Sequence, residues 1–327
     1  MRIVAALGGN ALLRRGERPD AAPQLAHIEA AAAALAPLAR DHQLLVCHGN
    51  GPQVGLLAVE SEADRALTRA YPLDSLVAQT QGMIGYWLAQ ALRNAGVDRP
   101  IAALVTQVLV DEADPAFAAP TKFIGPVYDQ ARAARLADEH GWIVAADGPS
   151  WRRVVPSPMP VRIVEQTTID QLLDAGSTVI CGGGGGAPVT ISGDGRLRGV
   201  EAVVDKDLTA ALLGVAVAAD HLLVLTDVAA VMDHFGTSAA MPLRALTLDE
   251  LATRRFPAGS MGPKIDACAM FVRATGRPAT IGALADATSM LDGAAGTTLR
   301  LNALPGSVDG GAGPPGLARA RTAGSPP

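Results

Sequence analysis

Aromatic side chains are scarce in this chain of 327 residues, where five Phe, three Tyr and three Trp make up 3%. Ala, Val, Leu and Ile must therefore fill the core, and few rings remain to stack on the bases of single-stranded nucleic acid. Positive charge is not in excess either. A net charge of -5 and a pI near 5.7 give no basic field for a polyanion, so no nucleic-acid partner is expected. Cysteine is limited to Cys47, Cys181 and Cys268, an odd number without CxxC spacing. These read as apolar fillers in a reducing cytosol and not as a disulfide or metal framework. His42 and His48 flank Cys47, but no second half of a zinc site follows. No apolar run reaches membrane-spanning length free of charge or Gly/Pro punctuation. Met1-Arg2-Ile3-Val4 runs straight into a strand pattern with no signal-peptide core. The expectation is a soluble, cytoplasmic protein with no membrane partner.

What is present is an alternation of short apolar runs and helical stretches, the pattern of an α/β protein with a largely parallel sheet. Strands are predicted at Ile3 to Leu7, Leu44 to Cys47, Ile101 to Val110, Ile143 to Ala146, Thr178 to Cys181, Leu222 to Leu225 and Ala279 to Ala283. A helix is predicted from Ser75 to Asn94, with Gly96 where it should stop. A second begins after Asp205, with Ala210, Leu212, Leu213 and Val217 as its buried stripe. A third follows Pro263 and ends at Gly276. Residues 111–161 break the rhythm with Pro and Trp, and read as an inserted flap or small subdomain. The domain reading is one unit over 1–302, with 303–327 a Gly/Pro-rich disordered tail.

Several strands run at once into glycines: Leu7 into Gly8-Gly9-Asn10, Cys47 into His48-Gly49-Asn50-Gly51, and Cys181 into Gly182 through Gly186. In an open parallel sheet these turns lie at the carboxyl ends of the strands, where ligands bind. Glycine there lets backbone approach a ligand, and successive N–H groups form an anion-binding nest. One such turn is ordinary chain reversal, but three at equivalent places call for more. There is no GxxxxGK[ST] phosphate loop. Gly182, Gly184 and Ala187 satisfy GxGxxA, but Pro188 and a β-like Val-Thr-Ile follow in place of a helix, so a dinucleotide fold is not expected.

Lys206 stands between Asp205 and Asp207 at a predicted helix start, with Asp205 as the N-cap. Lys264 sits similarly behind Gly259-Ser260-Met261-Gly262-Pro263, and Lys122 lies in the flap between Pro120 and Gly125. Taken singly, each is an ordinary surface lysine. Taken with the glycine turns, they point to phosphoryl transfer, in which a cation neutralises the moving group and a carboxylate orients the cation or holds Mg²⁺.

The segments ALGGNAL (6–12), HGNGPQVG (48–55), PTKFIGP (120–126), RRVVPSPMP (152–160), CGGGGGAPV (181–189), GVEAVVDKDL (199–208), LTDV (225–228) and AGSMGPK (258–264) resemble the carbamate kinases of the amino acid kinase superfamily, in the family's order. The resemblance implies a three-layer αβα sandwich with a mainly parallel central sheet, a small protruding subdomain and a homodimer. It also implies reversible phosphoryl transfer between carbamoyl phosphate and ADP, with Mg²⁺, giving ATP and carbamate. By motif, Lys206 and Lys264 would stabilise the transferring group, Asp207 would organise them, and Lys122 would close over the phosphates. Gly8, Gly9, Asn10, Gly49, Asn50 and Gly51 would bind the carbamate side. Gly183, Gly184, Asp205, Thr226, Asp227, Met261 and Gly262 would serve the nucleotide, with Asp205 the candidate metal contact. Two departures stand out. Ala229-Ala230-Val231-Met232 replaces the Asp-Gly-Val-Tyr that usually follows LTDV, and Phe123 replaces a customary proline. The alternatives are a different small-acid kinase of the superfamily or a catalytically altered regulatory homologue. The resemblance leaves open whether arginine breakdown or purine and allantoin breakdown supplies carbamoyl phosphate.

Overall fold

The apolar runs become strands buried on both faces, as expected when a parallel sheet is covered by helices on each side. The computed structural model describes residues 1–301 apart from 15, 16, 255 and 257–260, and apart from the side chain of Asn10. The expected tail over 303–327 and the Gly259-Ser260 part of the turn before Lys264 lie outside the described residues.

The chain runs through β1 (Arg2–Leu7), α1 (Ala21–Asp41), β2 (Gln43–His48), α2 (Gly51–Ala63), α3 (Leu73–Asn94) and the short β3 (Ile101–Ala103). It continues into β4 (Gln107–Val110), β5 (Lys122–Tyr128), α4 (Gln130–His140), β6 (Ile143–Asp147), β7 (Ser150–Val155) and β8 (Pro160–Ile163). Next come α5 (Gln166–Asp174), β9 (Thr178–Ile180), β10 (Ala187–Ile191), β11 (Leu197–Gly199), α6 (Lys206–Ala216) and β12 (His221–Thr226). The hairpin β13 (Met232–Asp233) and β14 (Met241–Pro242) leads to β15 (Ala245–Thr247), α7 (Leu248–Thr253), α8 (Gly262–Thr275), β16 (Ala279–Ala283), α9 (Ala287–Leu291) and β17 (Thr297–Arg300).

Eight strands form the central sheet in the order β15-β17-β16-β12-β1-β2-β9-β3. All its pairings are parallel except β16 with β17. The alternation along β1 defines the layers. Ile3, Ala5 and Leu7 share a core with α1, α3 and α9, while Val4 and Ala6 share the other with α5, α6 and α8. This is the expected αβα sandwich. The helix expected from Ser75 begins at Leu73, and Gly96 follows its end at φ +81°. Asp205 caps α6 by accepting hydrogen bonds from the Asp207 N–H at 2.8 Å and the Leu208 N–H at 3.5 Å.

The single strand expected from Ile101 to Val110 is two strands in two sheets. The chain breaks at Thr106, whose N–H and carbonyl are both taken by the Gln81 side chain and whose hydroxyl accepts the Gly182 N–H at 3.0 Å. Beyond that break β4 joins a separate sheet of order β11-β10-β4-β8. The stretch Ile143 to Ala146 is a strand too, but of a three-stranded antiparallel sheet of order β5-β7-β6. That sheet lies on α2 through Ile124 and Val155, which pack with Val54 and Ala58. Its strand β5 approaches α2 backbone to backbone. A Cβ on Gly55 would lie 1.9 Å from the Gly125 Cα, and Gly125 itself has φ +71°.

Candidate active site

Four neighbouring strands, β12, β1, β2 and β9, run parallel and end side by side, so their following turns collect at one end of the sheet. Gly8 N–H donates to the Leu225 carbonyl at 2.9 Å, and Gly49 N–H donates to the Leu7 carbonyl at 3.0 Å. The turns therefore carry the sheet's hydrogen bonding one residue past its strands. A Cβ on Gly49 would stand 3.0 Å from the Gly9 Cα and nitrogen and 3.5 Å from Lys206 Cδ, so both turns converge on the head of α6.

The five-glycine turn closes the group from below. Gly182, Gly184, Gly185 and Gly186 all have positive φ, between +64° and +95°, which glycine adopts without strain. A Cβ on Gly183 would meet His48 Nε2 at 2.4 Å, one on Gly184 would meet Asn50 Nδ2 at 2.1 Å, and one on Gly185 would meet the Val204 carbonyl at 2.4 Å. These glycines leave room for the His48–Asn50 turn and for the residue before Asp205. The GxGxxA spacing continues into strand β10 with no helix, as expected from the sequence. Asn50 donates to Thr80 Oγ1 at 2.8 Å, and the Thr209 hydroxyl donates to the Gly185 carbonyl at 2.8 Å. His48 is buried, donates from Nδ1 to the Gly49 carbonyl at 2.9 Å, and is held neutral by a burial-depressed pKa of about 4. Cys47 donates to the Gly182 carbonyl at 3.0 Å, and burial pushes its thiol up to about 12, so it is an unreactive spacer.

The charges gather above these turns. The Lys206 ammonium lies 2.5 Å from Asp207 Oδ1 and the Lys264 ammonium 3.0 Å from Asp207 Oδ2. Lys122, from β5, reaches across to pair with Asp205 Oδ2. The Asp207 side chain is 5% exposed, and burial alone would raise its carboxyl. The two ammonium groups, first Lys206 and then Lys264, hold it instead well below the usual carboxylate range. Burial likewise works against the charge of Lys206, but Asp207, then Asp205, lift its pKa above the ordinary value. Asp205 is held down chiefly by Lys122 against its own burial. Three ammonium groups face two carboxylates, so these five groups sum to one net positive charge, with Lys122 the most open of the lysines.

The remaining predicted residues lie around this cluster. Thr226 ends β12 beside Gly8 with Asp227 next in the chain, and the Thr226 hydroxyl donates to Asp227 Oδ1 at 3.1 Å. Met261 and Gly262 open α8, the helix that carries Lys264. Gly183 and Gly184, expected on the nucleotide side, are buried against His48 and Asn50. Asn10 belongs to a short 3₁₀ turn, Gly9–Ala11, with its side chain outside the described residues. Among the described residues no group of three or more His, Cys, Asp or Glu is placed to hold a metal. Of the departures, Ala230 and Val231 are buried, and Phe123 lies under the Arg152 guanidinium at 5.7 Å. Thr80 and Glu62 carried no sequence signal, and Arg153 stood in the RRVVPSPMP motif with no role assigned to it. The lysines carried one that motif reading passes over. The chain has three lysines among its 27 lysines and arginines, and all three meet here.

The profile of the amino acid kinase family matches residues 1–283. A carbamate kinase of Rhizobium meliloti (strain 1021) is 51% identical over 303 residues, covering 91% of this chain and 93% of its own length. One from Escherichia coli (strain K12) is 48% identical over 299 residues, covering 91% and 99%. The solved structure of a carbamate kinase from Giardia lamblia bound to AMP-PNP superposes with a TM-score of 0.84 at 36% identity, covering 92% of this chain and 98% of that one. Matched in sequence and in fold over nine-tenths of its length, the chain belongs to the amino acid kinase family and, within it, to the carbamate kinases.

Proposed function

We propose that this protein transfers a phosphoryl group reversibly between carbamoyl phosphate and ADP, giving ATP and carbamate, which falls to ammonia and carbon dioxide. The observation that carries the reading is the largely buried cluster of three lysines and two aspartates, one positive charge in excess, at the mouth of the glycine turns. A phosphoryl group in flight spreads negative charge over its equatorial oxygens, and fixed ammonium groups stabilise that charge without reorganising. Lys206 and Lys264 take this role from opposite oxygens of Asp207, which fixes both in place. Lys122 closes over the phosphates from the three-stranded sheet, exchanging Asp205 for substrate oxygens. Carbamate oxygen is already anionic, so no general base is needed, and positioning and charge neutralisation suffice.

Gly8, Gly9 and Asn10 with Gly49, Asn50 and Gly51 receive the carbamoyl end on their backbone N–H groups. Gly183 and Gly184, expected to serve the nucleotide, pack against His48 and Asn50 of that turn as well. Thr226, Asp227, Met261 and Gly262 flank the nucleotide. Mg²⁺ suits this site as an ion brought by the nucleotide, because Mg²⁺ is commonly held by one or two carboxylates plus substrate phosphates. Asp205 is the carboxylate available to it, with Oδ1 committed to capping α6 and Oδ2 to the displaceable Lys122. The ion would supply further neutralisation of phosphate charge.

The assembly is read as a homodimer. From Ser75 to Leu92 helix α3 bears no charged residue, yet Gln79, Gly82, Tyr86 and Gln90 on it are exposed, beside the edge strand β3 and an exposed Val105. An uncharged helix face next to an open sheet edge favours a second copy as its cover. The three buried free thiols support a reducing, cytoplasmic setting. The test of the activity is ATP formation from carbamoyl phosphate and ADP with Mg²⁺, beside a Lys264→Ala control. Synthesis that vanishes in the control supports the reading. Folded protein that makes no ATP from intact substrate overturns it in favour of another small-acid kinase or a regulatory homologue.

A further inference from the structure

Helix α2 begins at the substrate turn and ends under the three-stranded sheet that carries Lys122. At that far end one carboxylate gathers groups from the sheet's own elements. Glu62 Oε1 accepts from Trp142 Nε1 at 3.0 Å and from Arg153 Nη1 at 3.1 Å, while His140 Nδ1 stands 3.7 Å from Oε2. Glu62 and Arg153 are both 15% exposed in their side chains, and the Arg153 guanidinium also covers the Trp142 ring at 4.8 Å. Arg153 is shared. Its Nη2 lies 3.7 Å from Glu201 Oε1, and Glu201 Oε2 accepts the Leu73 N–H at 2.9 Å. Glu201 stands four residues before Asp205, in the segment that leads into α6.

One arginine of the sheet thus grips both the helix that starts at the substrate turn and the segment that ends at the phosphoryl site. Arg153 pairs across β5 with Ile124, two residues from Lys122 on the same strand. Successive side chains alternate across a strand, so Lys122, Ile124 and Arg153 share the face that looks toward α2. The Gly55–Gly125 contact fixes how closely β5 can lie on the helix but leaves its sliding and tilt open. A two-sided ion pair, buried toward Glu62 and open toward Glu201, whose side chain is 57% exposed, restrains those motions, because a guanidinium fork holds direction as well as distance.

We propose that Glu62 and Arg153 are positioning residues for phosphoryl transfer: the Glu62–Arg153–Glu201 bridge sets where Lys122 stands relative to Asp205, without itself touching substrate. The inference rests on the reading of Lys122 as a phosphate-closing lysine, and the experiment separates the two. Steady-state ATP formation is measured for the intact chain and for Glu62→Gln, Arg153→Lys, Lys122→Ala and each of the first two combined with Lys122→Ala. Glu62→Gln keeps the shape and an acceptor for Trp142 but removes the charge that Arg153 needs. Thermal midpoints and near-ultraviolet circular dichroism check that each variant is folded.

The expected result is a fall in kcat of about a hundredfold for Lys122→Ala, as for loss of one electrostatic stabiliser. For Glu62→Gln and Arg153→Lys a fall of about tenfold is expected, with KM for both substrates changed by less than about twofold. In the Lys122→Ala background either change should alter kcat by less than about twofold, since the group it positions is gone. Equal fold losses with and without Lys122 would overturn the positioning role alone. Unchanged kcat in Glu62→Gln and Arg153→Lys would overturn it as well. Full turnover by Lys122→Ala would overturn the lysine's role, and the proposal with it.

Discussion

Each oxygen of Asp207 holds a different lysine, so removing either lysine leaves one ion pair and takes away one ammonium group, whereas removing the aspartate leaves two buried ammonium groups unmatched. Lys206→Ala and Lys264→Ala should each lower kcat by about 10²–10³-fold, the usual cost of removing one preorganised stabiliser. Steady-state ATP formation checks this, and near-normal turnover in either variant would contradict the role assigned. Asp207→Asn should fail differently. It strands two ammonium groups in a largely buried site, so its thermal midpoint should fall along with its activity, and an unchanged midpoint would contradict the pairing. Lys206 and its two aspartates were legible because a cation flanked by carboxylates at a helix start opposes the helix dipole and asks for a reason. Which carboxylate served which lysine was not legible, since that depends on α6 and α8 meeting. The scarcity of lysine in a chain rich in arginine is a compositional sign of the same site, independent of any motif. Glu62 and Arg153 were hidden for the opposite reason. A glutamate near a helix end is an everyday residue, and Arg153, although inside the RRVVPSPMP motif, shows no partner in the sequence; the fold buries the two together.

Among the elements, α2 bears the heaviest geometric constraint. Gly55 is the helix position where β5 crosses, and a methyl group there would sit inside the backbone of Gly125. Gly55→Ala should force the strand off the helix, costing about 1–3 kcal/mol as an overpacked contact. Differential scanning calorimetry should show a lower midpoint and activity should fall with it, whereas an unperturbed midpoint would mean the two elements are not in contact. The glycine-ended strands and the helices after Ser75, Asp205 and Pro263 were readable because periodicity, caps and stops all agreed. The strand over Ile101 to Val110 was misread as one because apolar residues lie on both sides of Thr106-Gln107 and that polar pair was read through. The break at Thr106 is imposed from outside by Gln81 and Gly182, and a local pattern does not carry such partners.

For the whole molecule, acid should be destabilising earlier than carboxylates alone require. His48 and His221 are neutral, and burial holds both at about 4, whereas an unfolded imidazole titrates near about 6.5. Between these values the unfolded chain binds more protons than the folded one. Stability is therefore fully present above the window and is lost progressively as pH falls through it. The carboxyl of Asp207, depressed when folded, extends the loss below the ordinary carboxylate range. Urea midpoints should decline steadily from neutral pH toward pH 4, and less steeply in His221→Asn. A flat midpoint over that range would contradict the buried neutral imidazoles. The uncharged face of α3 predicts that Tyr86→Lys shifts the sedimenting species from dimer to monomer, and a dimer that persists would place the interface elsewhere.

The sparing use of lysine has a practical side. The side-chain primary amines of this sequence all lie in the proposed phosphoryl site, so amine-directed dyes, cross-linkers and coupling resins find no lysine away from it. Labelling through lysine becomes titration of the active site. Lys122, with 38% of its side chain open against 12% and 17% for Lys206 and Lys264, is where such a reagent enters first.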